Sequence, residues 1–238
     1  MPGVFEAAVR EFWQTRQNQE ERQRQAGAGD QGLRSAVTGG RQMDGFVRTI
    51  TDLIMAAGVS ADCIHTRSDL TLPGFYRPTK DWDIVVKAGD DLLAVIELKS
   101  QVGPSFGNNF NNRTEEAMGS AVDIWTAFRE GKFGGSPAPF LGYLFLLEDC
   151  TASRTPVRVS EPHYLIFEEF RNASYALRYE LFCRKLVRER QYNAACFLRA
   201  DASQSHLSPN YAEPAVDLSA KAFLEVMLRH VRPNRSRP

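Results

Sequence analysis

The chain has 238 residues, 43% of them hydrophobic and 24% charged, which is enough for one sizeable core or at most two small domains. Its 29 basic and 29 acidic side chains cancel, which disfavours a basic nucleic-acid coat protein but not an enzyme with local positive charge in a cleft. No apolar run reaches membrane length, Glu6, Arg10 and Glu11 break any secretion signal, and Cys63, Cys150, Cys183 and Cys196 form no C-x-x-C pair, so reduced thiols, no membrane and a cytoplasmic location are expected.

Residues 3–25 are predicted as a helix, because Val4, Phe5, Ala8, Val9 and Phe12 recur at helical spacing. Its second half, NQEERQRQ, has almost no apolar face and is expected to be exposed or to pack on a partner. Residues 27–40 (GAGDQGLRSAVTGG) read as a flexible loop. A second helix is predicted over 43–57, with Phe46, Ile50, Leu53 and Ile54 as its stripe and Gly58 as its stop. An irregular stretch through Pro73 and Pro78 then leads to two apolar runs joined by Gly89-Asp90-Asp91, a turn of hairpin type.

Within residues 78–99 (PTKDWDIVVKAGDDLLAVIELK), Asp83 heads the first run, and Glu97 and Lys99 lie near the end of the second. Strand residues two apart share a face, so Glu97 and Lys99 project together while Ile96 and Leu98 point to the other side. Folding about Asp90 sets Asp83 opposite Glu97, since the two are equidistant from it. Two carboxylates and one ammonium then converge on one sheet edge. That suits a divalent metal with a positioned water, and so phosphodiester hydrolysis. A solvated, salt-bridged hairpin is the competing reading, because Glu-x-Lys alone is common. Mg²⁺ prefers oxygen ligands, which makes Asp83, Glu97 and the Leu98 carbonyl the candidates. Lys99 is placed to orient the attacking water or to stabilise charge on phosphorus. Asp81 rivals Asp83 for the first position; Asp83 is preferred because it heads the strand.

Residues 103–112 (GPSFGNNFNN) are predicted as a polar loop. A helix over 113–130 follows, capped by Thr114, with Glu115 and Glu116 in its first turn, Gly131 as its stop, and Met118, Val122, Trp125 and Phe128 as its apolar face. A role for Glu115 or Glu116 as third metal ligand or site support competes with capping. A loop over 131–139 precedes the apolar run 140–147, typical of a strand buried on both faces. A helix over 174–189, a strand over 194–199 and a closing helix over 218–231 complete the order. Basic residues gather at 184–190 (RKLVRER) and in the tail 229–237, as DNA contacts or as solvated surface. The pattern is α/β and one domain over 1–238: a helical extension and loop over 1–41, a catalytic core over 42–200, and a C-terminal helix with basic tail over 201–238.

The segment ELKSQVGPSFGNNFNNRTEEAMGSAVDIWTAFREGKFG, with PTKDWDIVV before it, resembles the XhoI family of type II restriction endonucleases, within the PD-(D/E)xK nuclease superfamily. The close match spans residues 77–134. It implies a restriction-endonuclease-like PD-(D/E)xK core, a mixed sheet flanked by helices, here with the N-terminal helical extension. Asp83 becomes the first acidic ligand, Glu97 the second and Lys99 the catalytic lysine, although the Pro-Asp dipeptide of the superfamily's name is absent. The resemblance also implies Mg²⁺-dependent cleavage of double-stranded DNA by a homodimer at a palindromic site. For XhoI-like members that site is CTCGAG, cut to leave a 5′ overhang, with host DNA protected by a partner methyltransferase. Gln101, Asn108, Asn109, Asn111, Asn112 and Arg113 are the candidate base or phosphate contacts, since Arg suits guanine and Asn or Gln suits adenine. Asn also tolerates turns, which is the bland reading of that loop. A structure-specific repair or recombination nuclease of the same superfamily, and an inactive DNA-binding relative, are the alternatives.

Overall fold

The structure, a computed structural model, describes residues 3–25 and 41–232; the loop expected over 27–40 and the end of the basic tail lie outside them. The strands are β1 (Ile64–His65), β2 (Thr71–Pro73), β3 (Thr79–Asp81), β4 (Ile84–Ala88), β5 (Asp91–Gln101), β6 (Phe140–Glu148) and β7 (Ala194–Ala200). The α-helices are α1 (Glu6–Gln25), α2 (Asp44–Ala56), α3 (Phe106–Arg129), α4 (Thr151–Arg154), α5 (Tyr175–Arg188) and α6 (Ala220–Val231).

Five strands form one sheet in the order β1-β4-β5-β6-β7, and β2 pairs with β3 in a separate two-stranded sheet. β1, β4 and β5 run antiparallel, whereas β5, β6 and β7 are parallel. The sheet is mixed. β6 is buried from Phe140 to Leu147, as a parallel strand covered on both faces must be.

Alternating strand residues feed two cores. On one face Ile84, Val86, Ile96 and Leu98 meet Phe5, just before α1, and Phe12, Phe46, Ile50 and Phe223 of α1, α2 and α6. On the other, Val85, Val95, Tyr143 and Phe145 meet Ala121 and Ile124 of α3 and Tyr179 and Phe182 of α5. The N-terminal helix is therefore built into a layer of the core: Val9 and Phe12, with Phe5 in the turn just before the helix, have no exposed surface. Burying such a phenylalanine stabilises the fold by roughly 1.5–3 kcal/mol. α1 also crosses α2 closely, since a Cβ on Gly45 would come within 2.9 Å of the Ala8 Cα. Among the described residues 17–25 of α1 none is buried, as their composition predicts.

The polar loop expected over 103–112 is instead the opening of α3, which starts at Phe106 after Ser105. Phe106 stacks on Tyr175 at 5.9 Å and Phe110 meets Tyr179 edge-on at 5.0 Å. These two aromatics sit one helical turn apart, and their burial against α5 outweighs the poor helix propensity of glycine and asparagine. Thr114 consequently lies inside the helix, where its hydroxyl donates to the Phe110 carbonyl at 2.8 Å and caps nothing. Glu115 and Glu116 are likewise outside the first turn, so the capping role expected of them is excluded.

The buried face of α3 also differs from expectation. Ala117, Ala121 and Ile124 are buried, while Met118 and Val122 are 42% and 38% exposed. Tyr143, Tyr179 and Tyr192 already fill the space above the sheet, and Tyr192 donates to the Ala117 carbonyl at 3.1 Å. Over the Tyr192 hydroxyl the helix presents small residues, Ala117 and Ala121. α5 begins where its sequence predicts, whereas α6 starts at Ala220, later than the expected 218, because Val216–Leu218 forms a separate 3₁₀ turn; the Ser174 and Ser219 hydroxyls accept from Leu177 and Ala222 N–H. The four cysteines are free, and no helix among the described residues is long and apolar enough to cross a membrane.

Candidate active site

The β4–β5 hairpin turns through two residues, Gly89 and Asp90, because Ala88 pairs with Asp91 and Lys87 with Leu92. A regular ladder from that turn would set Asp83 opposite Ile96, with every side chain on the wrong face. Instead Val86 pairs with Ala94, leaving Leu93 as an extra residue, and Ile84 then pairs with Ile96. This bulge restores the register that carries Asp83 to the level of Glu97. Gly89 has φ +58°, the left-handed conformation a tight turn of this kind needs.

Asp83 lies just before β4, where its Oδ2 accepts the Leu98 N–H at 2.7 Å. The N–H and C=O of one strand residue face the same side, so the Leu98 carbonyl turns toward Asp83 as well. Glu97 is only 3% exposed. Its Oε1 contacts the Lys99 ammonium, and its Oε2 accepts from Lys80 Nζ at 2.9 Å. Burial and the neighbouring Glu97 charge raise the Asp83 carboxyl to about 6, against the opposing pull of Lys99, the Leu98 N–H and Lys80. Burial also pushes Glu97 upward, but Lys99 and Lys80 more than offset it and hold the carboxyl below its usual range. For Lys99, burial favours the neutral amine, yet Glu97 and Asp83 prevail and raise its pKa.

Lys80 was not foreseen from the sequence. It belongs to β3 in the small sheet, formed within the stretch expected to be irregular. The loop between β2 and β3 is tied to α3 by Asp123. One Asp123 oxygen accepts the Phe75 and Tyr76 N–H groups at 2.7 and 2.8 Å, and the other accepts Arg77 Nε at 2.7 Å. Glycine is required at the start of this loop, since a Cβ on Gly74 would lie 2.5 Å from Asp123 Oδ2. α3 thereby fixes the hairpin that delivers Lys80 to Glu97. The rival carboxylate, Asp81, is exposed and takes its hydrogen bond from the Thr71 hydroxyl.

Two clefts meet at Lys99. One, of about 640 Å³, has Asp83, Leu98 and Gln101 along its floor, Asn108, Asn109 and Arg113 of α3 on one wall, and Arg16 and Gln19 of α1 with Gln42 on the other. The second, of about 850 Å³, is lined by Tyr76, Lys80, Glu97, Arg113 and Glu116. Gln101 is buried, and its amide donates to the Val102 carbonyl at 2.8 Å. Asn111 and Asn112 are exposed and line neither cleft. Arg113 pairs with Glu116 at 2.7 Å, and its buried Nε has no partner.

The α1 wall also escaped the sequence reading, although Arg16 and Gln19 are one turn apart on the polar face of a helix whose other face is apolar. They are joined through Gln42, which accepts from Arg16 at 3.3 Å and donates to Gln19 at 3.0 Å. The basic run at 184–190 is largely paired within the chain: Arg184 with Asp217 and Glu180, Lys185 with Glu169, and Arg188 with Glu189. Among the described residues no group of three or more His, Cys, Asp or Glu side chains is placed to hold a metal ion. A cation here would draw on two carboxylates, a carbonyl, water and substrate oxygen.

The model of the family described as "Restriction endonuclease XhoI" matches residues 22–213. Type II restriction enzyme BstVI of Geobacillus stearothermophilus is 55% identical over 213 residues, covering 87% of this chain and 95% of its own length. Type II restriction enzyme XhoI of Xanthomonas vasicola is 51% identical over 181 residues, 75% of this chain and 72% of its own. Type II restriction enzyme AbrI of Azospirillum brasilense is 49% identical over 158 residues, 66% and 71% respectively. No solved structure gives a significant match.

Proposed function

The chain belongs to the XhoI restriction endonuclease family and is a site-specific deoxyribonuclease, and from that premise we propose that Asp83, Glu97 and Lys99 are its catalytic residues. The observation that carries the reading is the half-buried Asp83 beside the buried Glu97, with Lys99 at the junction of two clefts edged by amide and guanidinium groups. Asp83, Glu97 and the Leu98 carbonyl are hard oxygen donors of the kind Mg²⁺ takes, so the donor set fits that cation. When bound there, the ion supplies Lewis acidity and a more acidic water. Lys99, with about a quarter of its side chain exposed at 24%, orients the attacking water and offsets negative charge developing on phosphorus. The Leu98 N–H holds Asp83 in place through its Oδ2.

The preferred substrate is double-stranded DNA at the palindrome CTCGAG, cleaved to leave 5′ overhangs by a homodimer whose two-fold axis matches the site. Asn108, Asn109 and Arg113 act on the bases or phosphates. Gln101 serves that wall from beneath, since its amide is engaged by Val102. Asn111 and Asn112 reach DNA only where the duplex extends past the cleft. The whole chain acts as one nuclease domain, working in the cytoplasm beside a methyltransferase that protects host DNA.

A plasmid carrying one CTCGAG site, incubated with the protein and Mg²⁺, tests this. Linear product with a 5′ extension is expected. General degradation would favour a structure-specific repair or recombination nuclease, and a gel shift without cutting would favour an inactive DNA-binding relative.

A further inference from the structure

We propose that Lys80 is a second active-site lysine, a displaceable counter-charge that holds Glu97 in readiness and competes with the metal for that carboxylate. The inference rests on the reading of Asp83 and Glu97 as the metal-binding pair. Each oxygen of the buried Glu97 already has one ammonium, Lys99 at Oε1 and Lys80 at Oε2. Two lysines thus balance the two carboxylates. An ionised carboxylate this deeply buried is costly unless paired, so the arrangement keeps Glu97 charged and oriented by the chain itself. A dication that takes Glu97 competes with these partners for the same carboxylate and is repelled by their charge.

Lys80 is the partner suited to leave. Lys99 projects from β5 inside the five-stranded sheet, whereas Lys80 comes from the separate β2–β3 sheet. Its ammonium also has other favourable contacts at hand: the Asp81 carbonyl at 3.0 Å and the face of the Trp82 ring at 4.3 Å. It lines the same cleft as Lys99 and Arg113, so a charge released from Glu97 stays where substrate phosphate is to be held. Lys80 is therefore a positioning residue acting through Glu97, and the metal-free site is electrically closer to neutral than its carboxylates alone suggest.

The test is calorimetric titration of the full chain with Ca²⁺ alone, in the absence of DNA. Lys80→Met and Lys80→Gln should bind Ca²⁺ at least about tenfold more tightly than the wild type, because one unit charge near a dication is removed. Lys80→Arg, which keeps the charge, should stay near the wild type. A merely structural role would weaken binding in the neutral variants, and unchanged or weaker Ca²⁺ affinity in both, with thermal unfolding confirming that they are folded, overturns the proposal. Glu97→Gln separates the two levels of failure. If it abolishes Ca²⁺ binding while the Lys80 variants bind no tighter, only the role of Lys80 falls. If it binds Ca²⁺ like the wild type, the metal-site reading fails and this inference with it.

Discussion

Asp123→Asn removes the charge that fastens the β2–β3 loop to α3 while nearly preserving side-chain shape. In the wild type the carboxylate is 4% exposed and accepts from Phe75 N, Tyr76 N and Arg77 Nε, all within 2.8 Å. Charge-assisted hydrogen bonds contribute roughly 1.5–3 kcal/mol each. The amide retains one acceptor and turns its NH₂ toward other donors, Arg77 is 43% exposed and solvent-screened, and the loop can relax into water. A net loss of about 2–3 kcal/mol follows. In a chain of this size each kcal/mol lowers Tm by about 2–4 °C, so a shift of about 4–12 °C is expected.

The pH dependence has a definite sign. Burial raises the Asp123 carboxyl, but the Tyr76 N–H, Arg77 and the Phe75 N–H outweigh it and hold the group below the usual carboxylate range. A depressed pKa contributes stability that is complete above the unfolded value, about 3.9, and is lost as pH falls through the folded value. The stability gap between wild type and Asp123→Asn should be flat from pH 7 to pH 5 and should close under acid. Urea unfolding at several pH values measures it. A gap below about 0.5 kcal/mol at pH 7, or one that widens toward low pH, would refute the reasoning.

Glu97→Gln and Lys99→Ala should each slow DNA cleavage on the order of a thousandfold, while Asp81→Asn cuts within a few-fold of wild type; plasmid nicking under single-turnover conditions distinguishes them. Asn109→Ala should lose about 1–3 kcal/mol of discrimination between CTCGAG and single-base variants if the side chain reads a base, and equal weakening on all sequences would assign it to phosphate instead. Ala121→Phe overfills the contact of α3 with the sheet and should destabilise by about 1–3 kcal/mol, whereas Val122→Lys should change stability by under about 0.5 kcal/mol. Thermal melts giving the reverse order would mean that the buried face of α3 is misassigned.

The sequence by itself determined the element order and the type of most elements, because hydrophobic periodicity reports which side of each segment is buried. It also brought Asp83, Glu97 and Lys99 to one end of a hairpin, since strand alternation and turn position are local properties. The turn centres between Gly89 and Asp90 and not on Asp90, and the bulge at Leu93 supplies the residue that keeps Asp83 level with Glu97. Tertiary structure decided what local signals could not. The asparagine-rich segment became helix because Phe106 and Phe110 found Tyr175 and Tyr179 on another helix, and α3 turned its alanines inward because tyrosines already occupied the space above the sheet. Lys80 reached Glu97 only through Asp123, more than 40 residues away in sequence from the loop it anchors. Arg16, Gln19 and Gln42 joined the cleft because α1 packs as a core layer beside α2. Each of these depends on contacts between segments far apart in the chain, and such contacts leave no period or spacing to read.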